Sequence, residues 1–188
     1  LNLAYNENGD EVAKSSADIL KHNSTLTTLN LGGNNIGKEG NGMFEFQTYH
    51  LTTPRPTPQY SPRHDRVKNL RESIKHNFTL TTLNLEHNRI EAEGAKSLGD
   101  ALKLNCTLTT LNLDSNFIRD EGAKLLTDAL KHNSTLTTLN LEHNRIEAEG
   151  AKSLADALKD NSTLTTLNLD YNNIGDEGAQ SLADALKL

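Results

Sequence analysis

Hydrophobic residues along the chain follow two spacings that alternate regularly. In one representative segment, Leu139 and Leu141 are two positions apart, so both side chains point to one side of a short strand. Further on, Ala151, Leu154 and Leu158 follow the three-and-four spacing of a helix with one apolar stripe. The pattern therefore predicts a strand followed by a helix.

The strand pattern recurs as the motif LTTLNL, and this recurrence sets the domain organisation. The motif begins at Leu26, Leu80, Leu108, Leu136 and Leu164, the last four starts are equally spaced, and a shortened LNL begins at Leu1. One strand and one helix cannot bury their apolar sides alone, but stacked copies share a continuous core. Because a helix is wider than the roughly 4.8 Å between strands, the stack must curve.

We therefore predict an α/β fold, a right-handed solenoid with parallel strands on the concave face and helices on the convex face. The predicted coils are residues 1–25, 26–79, 80–107, 108–135, 136–163 and 164–188.

The second predicted coil is too long, because the interval from Leu26 to Leu80 is almost twice the interval between the later motif starts. Removing residues 41–66 restores a 28-residue unit, and this segment contains all four prolines of the chain. Division into two degenerate repeats would instead place Pro54 and Pro56 in an interior strand, where a missing backbone donor is poorly tolerated. We predict an insertion at residues 41–66, which is either a docking loop, a tolerated surface insertion or a gene-model error.

The unit L-x-x-L-x-L-x-x-N-x-I with a 28-residue helical repeat resembles the ribonuclease-inhibitor-like class of leucine-rich repeats. Its uniform E-G-A-x-x-L-x-x-A-L segment is most similar to the repeat domains of NOD-like receptors, and it also resembles Ran GTPase-activating proteins. The resemblance implies a protein-binding horseshoe from a larger NOD-like-receptor-type protein. It also implies that five asparagines are buried and bond the loops of neighbouring coils, namely Asn34, Asn88, Asn116, Asn144 and Asn172.

Composition and charge exclude several classes of function. Hydrophobic residues make up 35% of the chain in short runs, so no segment reaches the roughly 20 apolar residues of a membrane-spanning helix. The net charge is −6 without a cluster of lysine and arginine, which argues against nucleic-acid binding. A single cysteine, Cys106, excludes an internal disulfide. We expect a cytoplasmic protein.

Candidate catalytic and ligand-binding motifs are weak. The segment Gly32–Lys38 resembles a phosphate-binding loop, but Glu39 follows where a hydroxyl residue must hold Mg²⁺. His87 and His143 lie two coils apart, roughly 10 Å, so they cannot share a metal ion whose ligands lie about 2 Å away. One unit recurs almost unchanged two coils later, whereas an active site requires a unique local arrangement. We expect no enzyme activity, no cofactor and no metal.

Five N-x-T sequences follow the predicted helices, at Asn23, Asn77, Asn105, Asn133 and Asn161. We interpret these asparagines as residues that adopt the left-handed conformation at a helix end. Glycosylation is the alternative that we regard as weaker.

Acidic residues occupy one outward position of four consecutive coils, beside a position that carries several rings. Neighbouring carboxylates repel each other, and a cationic partner in the groove would relieve this repulsion. The alternative is that the acids only keep a polar face soluble. We predict a non-catalytic protein-interaction module that binds a partner with a basic segment through Glu86, His87, Asp114, Glu142, His143, Asp170 and Tyr171.

Two other functions remain open at this point. The resemblance to Ran GTPase-activating proteins suggests a GTPase-activating role, although no functional residue can be carried across. The other alternative is that the chain serves as a structural spacer and has no ligand of its own. Because neither end of the solenoid looks capped, we also expect end-to-end self-association.

Overall fold

The computed structural model describes residues 1–6, 9–37 and 65–187, and for residues 10 and 65–69 it describes the backbone alone. Within these residues the helices are α1 (Gly9–His22), α2 (Asp65–His76), α3 (Glu91–Leu102), α4 (Arg119–His132), α5 (Ala148–Asp160) and α6 (Gly175–Ala185). The strands are β1 (Thr28–Asn30), β2 (Thr82–Asn84), β3 (Thr110–Asn112), β4 (Thr138–Asn140) and β5 (Thr166–Asn168). Strands and helices therefore alternate as the spacing predicted.

The strands form one parallel sheet in the order β1-β2-β3-β4-β5. The pairing keeps equivalent motif positions side by side, so that Leu83 is aligned with both Leu29 and Leu111. Before β1, Asn2 makes an isolated parallel bridge to Asn30. The predicted fold class is confirmed: this is an α/β solenoid with strands along its concave face and helices along its convex face.

Strands β1 and β2 pair directly, with Thr28 aligned with Thr82, although the long second coil separates them in the chain. The predicted insertion at residues 41–66 falls almost wholly outside the described residues. Its last two positions, Asp65 and Arg66, belong to α2. The insertion and the coil boundaries derived from it therefore stay predictions.

The core is a narrow layer between the sheet and the helices. Leu83 and Leu85 point inward from the third coil and are 0% exposed, and Ile90 follows them at 2%. Ala95 and Leu98 face them from α3 and are equally buried. Because each interior coil is covered on both sides, short apolar stretches suffice and a composition of 35% hydrophobic residues builds a continuous core.

Helices of adjacent coils approach closely at the glycine of the E-G-A motif. A Cβ atom on Gly150 would lie 2.4 Å from Oδ1 of Asp120 and 3.0 Å from its Cα atom. The same carboxylate oxygen accepts hydrogen bonds from the backbone N–H groups of Glu147 (2.7 Å) and Gly150 (3.0 Å). Asp120 of one coil therefore caps the first turn of α5 in the next coil.

The first asparagine ladder (Asn34, Asn88, Asn116, Asn144 and Asn172) joins the turns after the strands. In Asn144, which is 0% exposed, Oδ1 accepts from the N–H groups of Asn116 and Ile118, each at 3.1 Å. Its Nδ2 donates to the carbonyls of Leu113 and Glu142, each at 2.8 Å. These bonds confirm the structural role that the family resemblance implied, because each amide satisfies buried backbone groups of two coils.

The second asparagine ladder (Asn23, Asn77, Asn105, Asn133 and Asn161) lies at the opposite edge, and our prediction of its backbone was wrong. Asn133 has φ −78° and Asn161 has φ −102°, which are extended rather than left-handed. Nδ2 of Asn133 donates to the carbonyls of Leu102 and Asn105, at 2.7 Å and 3.3 Å. Bonding to the preceding coil, rather than a left-handed helix end, therefore explains Asn133 and Asn161.

Candidate functional site

Outward side chains of the sheet form columns along the concave face. The strand register aligns a threonine column (Thr28, Thr82, Thr110, Thr138 and Thr166) and an asparagine column (Asn30, Asn84, Asn112, Asn140 and Asn168). Directly after the strands follow the acidic column (Glu86, Asp114, Glu142 and Asp170) and then the turn column (His87, Ser115, His143 and Tyr171). All seven predicted partner-binding residues lie in these last two columns.

The asparagine column positions the carboxylates. Oδ1 of Asn112 accepts the backbone N–H of Asp114 at 3.0 Å, and the same bond recurs in the coils on either side. Nδ2 of Asn112 donates to Oε2 of Glu86 at 3.0 Å, and Nδ2 of Asn168 donates to Oε2 of Glu142 at 3.1 Å. Each glutamate is thus oriented by the following coil, a role for the asparagines that our sequence reasoning missed.

Backbone geometry is unusual throughout the turn column. His87, Ser115, His143 and Tyr171 have φ values of 50°, 56°, 50° and 52°. This left-handed region is uncommon for residues other than glycine. The N–H of His87 bonds the carbonyl of Asp114 at 2.9 Å, and that of Ser115 bonds Glu142 at 3.0 Å. Hydrogen bonds between coils therefore hold the turns in this conformation and fix the positions of their Cβ atoms.

His143 lies at the centre of a cluster that joins three coils. Its ring stacks on Tyr171 with 4.3 Å between ring centroids and an angle of 8° between planes. Nδ1 is 3.7 Å from Oδ1 of Asp114 and 3.5 Å from Oε1 of Glu142. Oγ of Ser115 donates to Oδ1 of Asp114 at 2.8 Å. The structure thus brings five of the column residues together here.

His87 has the same place in its coil but different surroundings. In the described part of the chain, its ring has neither a stacking partner nor a carboxylate within ion-pair distance. The coil before it has Gly32 where the coil before His143 has Asp114. The two histidines are therefore chemically distinct sites.

Arg145 and Phe117 form a second contact that involves an aromatic ring, in the same turns as the His143 cluster. The guanidinium carbon of Arg145 is 4.9 Å from the centroid of the Phe117 ring, which is within the range of a cation–π interaction. Sequence reasoning missed this pair. Aligning the coils would have revealed it, because Arg145 occupies the motif position that Phe117 occupies one coil earlier.

Two acids on the convex face, Asp128 and Asp156, are bound by lysines. A hydrogen bond from Lys103 in the preceding coil lowers the pKa of Asp128, and one from Lys159 lowers the pKa of Asp156. Donating this bond to Asp156 in turn raises the pKa of Lys159. By contrast, neutral amides bind Glu86 and Glu142 in the acidic column. These two acids of the concave face are thus bound by uncharged donors, unlike Asp128 and Asp156.

The glycines of Gly32–Lys38 have structural roles. A Cβ atom on Gly33, at φ 64°, would lie 2.4 Å from the Tyr5 ring. One on Gly37, at φ 123°, would lie 1.8 Å from the carbonyl oxygen of Arg89. Close packing therefore accounts for the glycines of this segment without a phosphate ligand.

Other ligand types find little support in the described ranges 1–6, 9–37 and 65–187. There, no group of three or more His, Cys, Asp or Glu side chains is arranged to hold a metal ion. None of the helices in those ranges is both long and apolar enough to cross a bilayer.

The family described as "Leucine Rich repeat" matches five segments of the chain, residues 22–40, 76–99, 104–126, 132–155 and 160–183. These segments make up more than half of the sequence. The chain belongs to the leucine-rich-repeat family. No curated protein matches it in overall sequence.

Solved structures show how this leucine-rich-repeat fold occurs elsewhere. "Leiomodin-1 Actin-Binding Site 2 (ABS2)" is 22% identical with a TM-score of 0.68, covering 92% of this chain and 86% of that one. The tropomodulin C-terminal domain of Caenorhabditis elegans is 16% identical with a TM-score of 0.65, covering 93% and 91%. At these identities the likeness shows a shared fold.

Proposed function

We propose that this leucine-rich-repeat chain is a non-catalytic protein-interaction module that binds a basic segment of its partner along the acidic column. The observation that carries the proposal is the bonding of the acids. Neutral amides orient Glu86 and Glu142, whereas lysines bind Asp128 and Asp156 on the convex face. A row of oriented carboxylates that is held by neutral groups attracts an extended cationic segment.

Burial of the carboxylates supports this proposal. The side chains of Asp114 and Glu142 are 18% and 27% exposed, so a bound cation would be partly shielded from water. Charge pairs in such positions are stronger than fully exposed ones. Four acids in consecutive coils, Glu86, Asp114, Glu142 and Asp170, provide the repeated contacts that a segment with several cations requires.

The structural neighbours are consistent with the same class of function. The leiomodin-1 structure is named as an actin-binding site, so that fold can present a surface to a protein partner. Actin is accordingly one protein to include among candidate partners. Because the repeat resembles those of NOD-like receptors, we also propose that the chain is part of a larger protein of the NOD-like-receptor type.

The test measures binding of an octalysine peptide by fluorescence anisotropy. Replacing Glu86, Asp114, Glu142 and Asp170 together with serine should weaken binding about tenfold or more, because each lost charge pair contributes roughly 0.5–1 kcal/mol. The same variant should show a weaker dependence of the dissociation constant on salt, because salt screens the charge pairs that it has lost.

A matched control replaces Glu93, Glu121, Glu149 and Glu177 with serine. These exposed glutamates lie in the same four coils but on the helices, and the change in net charge is identical. We expect this control to change affinity less than about threefold, because distant exposed charges are screened. Equal losses in both variants would show that net charge alone binds the peptide and would contradict the proposal.

End-to-end self-association stays a prediction. Leu167 and Leu169 are partly exposed, whereas the equivalent Leu139 and Leu141 are 0% exposed. This apolar surface is what a second copy would cover, and sedimentation equilibrium over a range of concentrations tests it. A single monomeric mass at every concentration would contradict it.

A further inference from the structure

The two histidines of the turn column form a natural pair for comparison. His87 and His143 occur in the same hexapeptide, L-E-H-N-R-I, and have the same φ of 50°. They differ in what the neighbouring coils place beside them. Any difference in their chemistry therefore arises from contacts between coils.

His143 is flanked by charges from three turns. Asp114 contributes a carboxylate from the turn after β3, and Glu142 another from its own turn. The turn after β5 contributes the stacked phenol of Tyr171 and carries Asp170, while Arg145 lies two residues beyond His143. Acids outnumber cations around this imidazole, so its protonated form finds charge partners directly.

Protonation would change the acidic column at its centre. At 3.5–3.7 Å, Nδ1 is too far from the carboxylates for a good neutral hydrogen bond, but an imidazolium at that distance is an ion-pair partner for both. The positive ring is also attracted to the face of Tyr171. Protonated His143 thus occupies Asp114 and Glu142 and adds a positive charge that repels a cationic segment.

We propose that His143 is a proton-dependent switch in the partner-binding groove, which closes the middle of the acidic column as the pH falls. This inference rests on the proposed function, since it concerns regulation of the same face. Histidine is the side chain whose charge ordinarily changes between about pH 5 and pH 8. Affinity for a basic segment is therefore high above that range and falls within it.

His87 does not provide such a switch. The preceding coil has Gly32 where the coil before His143 has Asp114, so within the described residues the acidic column provides no carboxylate on that side of the ring. The neighbouring residue in the following coil is Ser115 in place of an aromatic ring. Among the residues that the structure describes, protonated His87 therefore has neither the two carboxylates nor the stacking partner that His143 has.

The experiment compares octalysine binding at about pH 7.5 and about pH 5.5, on either side of the ordinary histidine range. Affinity of the unchanged protein should fall about fivefold at the lower pH, a typical size for one switched charge pair. His143→Asn should remove most of this fall, and asparagine tolerates the left-handed backbone. His87→Asn is the matched variant and should retain the pH dependence.

A second measurement does not depend on any variant binding the peptide. Because linkage is reciprocal, octalysine must make His143 harder to protonate. In NMR titrations of the histidine rings, the peptide should lower the midpoint of the His143 titration more than that of His87. Circular dichroism at both pH values checks that each variant is folded.

The outcomes separate the two proposals. If the four-serine variant of the acidic column binds octalysine as well as the unchanged protein does at the higher pH, the proposed function itself fails. If that variant loses binding but His143→Asn keeps the full pH dependence, only the switch is overturned. Equal movement of both histidine midpoints on peptide addition also overturns the switch.

Discussion

The twin coils, residues 80–107 and 136–163, differ at three positions only, Gly99/Ala155, Leu104/Asp160 and Cys106/Ser162. The leucines of their strands are equally buried. Leu83 and Leu85 of the first twin and Leu139 and Leu141 of the second are all 0% exposed. Their ladder asparagines, Asn88 and Asn144, bond equivalent backbone groups of the preceding coil.

Their surfaces differ because their neighbours differ. Helix α5 follows Glu147, which has φ −106° and is bound by Asp120, whereas the equivalent Glu91 has φ 53°. Within the described part of the chain, His143 has a stacked ring and two nearby carboxylates, whereas His87 has neither. Nearly equal sequences thus give equally buried strand leucines but unequal surfaces, since the outward side chains of one coil contact those of the adjacent coils, which differ.

The largest expected effect tests whether the twin interiors are energetically equal. Asn88→Ala and Asn144→Ala should each lower the free energy of unfolding by about 3–5 kcal/mol, because each leaves several buried backbone groups without a partner. Urea denaturation measures both. Asn173→Ala, in the same type of turn but with an exposed side chain, should cost about 0.5 kcal/mol or less. Losses that differ by more than about 2 kcal/mol would break the equality.

An intermediate effect concerns the helix starts, where the twins differ. Asp120→Ala should lower the free energy of unfolding by about 1–2 kcal/mol, since the first turn of α5 loses its cap. Hydrogen exchange should quicken at the amides of Glu147 and Gly150, which Asp120 binds. Asp176 is exposed at the same motif position of the sixth coil, and Asp176→Ala should cost about 0.5 kcal/mol or less. Unchanged exchange at both amides would disprove the cap.

The smallest effect sharpens the comparison of the histidines. His87→Gly should stabilise the protein by about 0.5 kcal/mol, because glycine adopts the left-handed conformation without strain. His143→Gly gains the same relief but loses the stack on Tyr171, which contributes about 0.5–1.5 kcal/mol. The first variant should therefore have the higher melting temperature. In a Tyr171→Ser background the difference should disappear, and its persistence there would show that the stack is not the cause.

Much of the fold was predictable from the sequence. The spacing of Leu139 and Leu141 predicted strands, and the constant interval between motif starts predicted parallel stacking in register, which the sheet confirms. The leucine-rich-repeat resemblance identified Asn144 as a buried bridge between coils, as the structure has it. These features were readable because each repeats in every coil.

The error and the omissions concern contacts that cross between coils. Asn133 looked like a left-handed helix end, because its neighbours in sequence suit one, but its amide bonds carbonyls of the preceding coil. The donation from Asn112 to Glu86 was missed for a similar reason. The local conformational propensity of a residue carries no information about where the groups of another coil lie.

By itself, the sequence determined the coil: where its leucines point, how long it is, and that acids recur at one outward position. Only the tertiary structure decided how those acids differ from one another. Asp114 and His143 belong to different coils, yet Oδ1 of the first and Nδ1 of the second are 3.7 Å apart. A coil acquires its surface chemistry from the coil stacked against it, because backbone bonds between coils fix which side chains become neighbours.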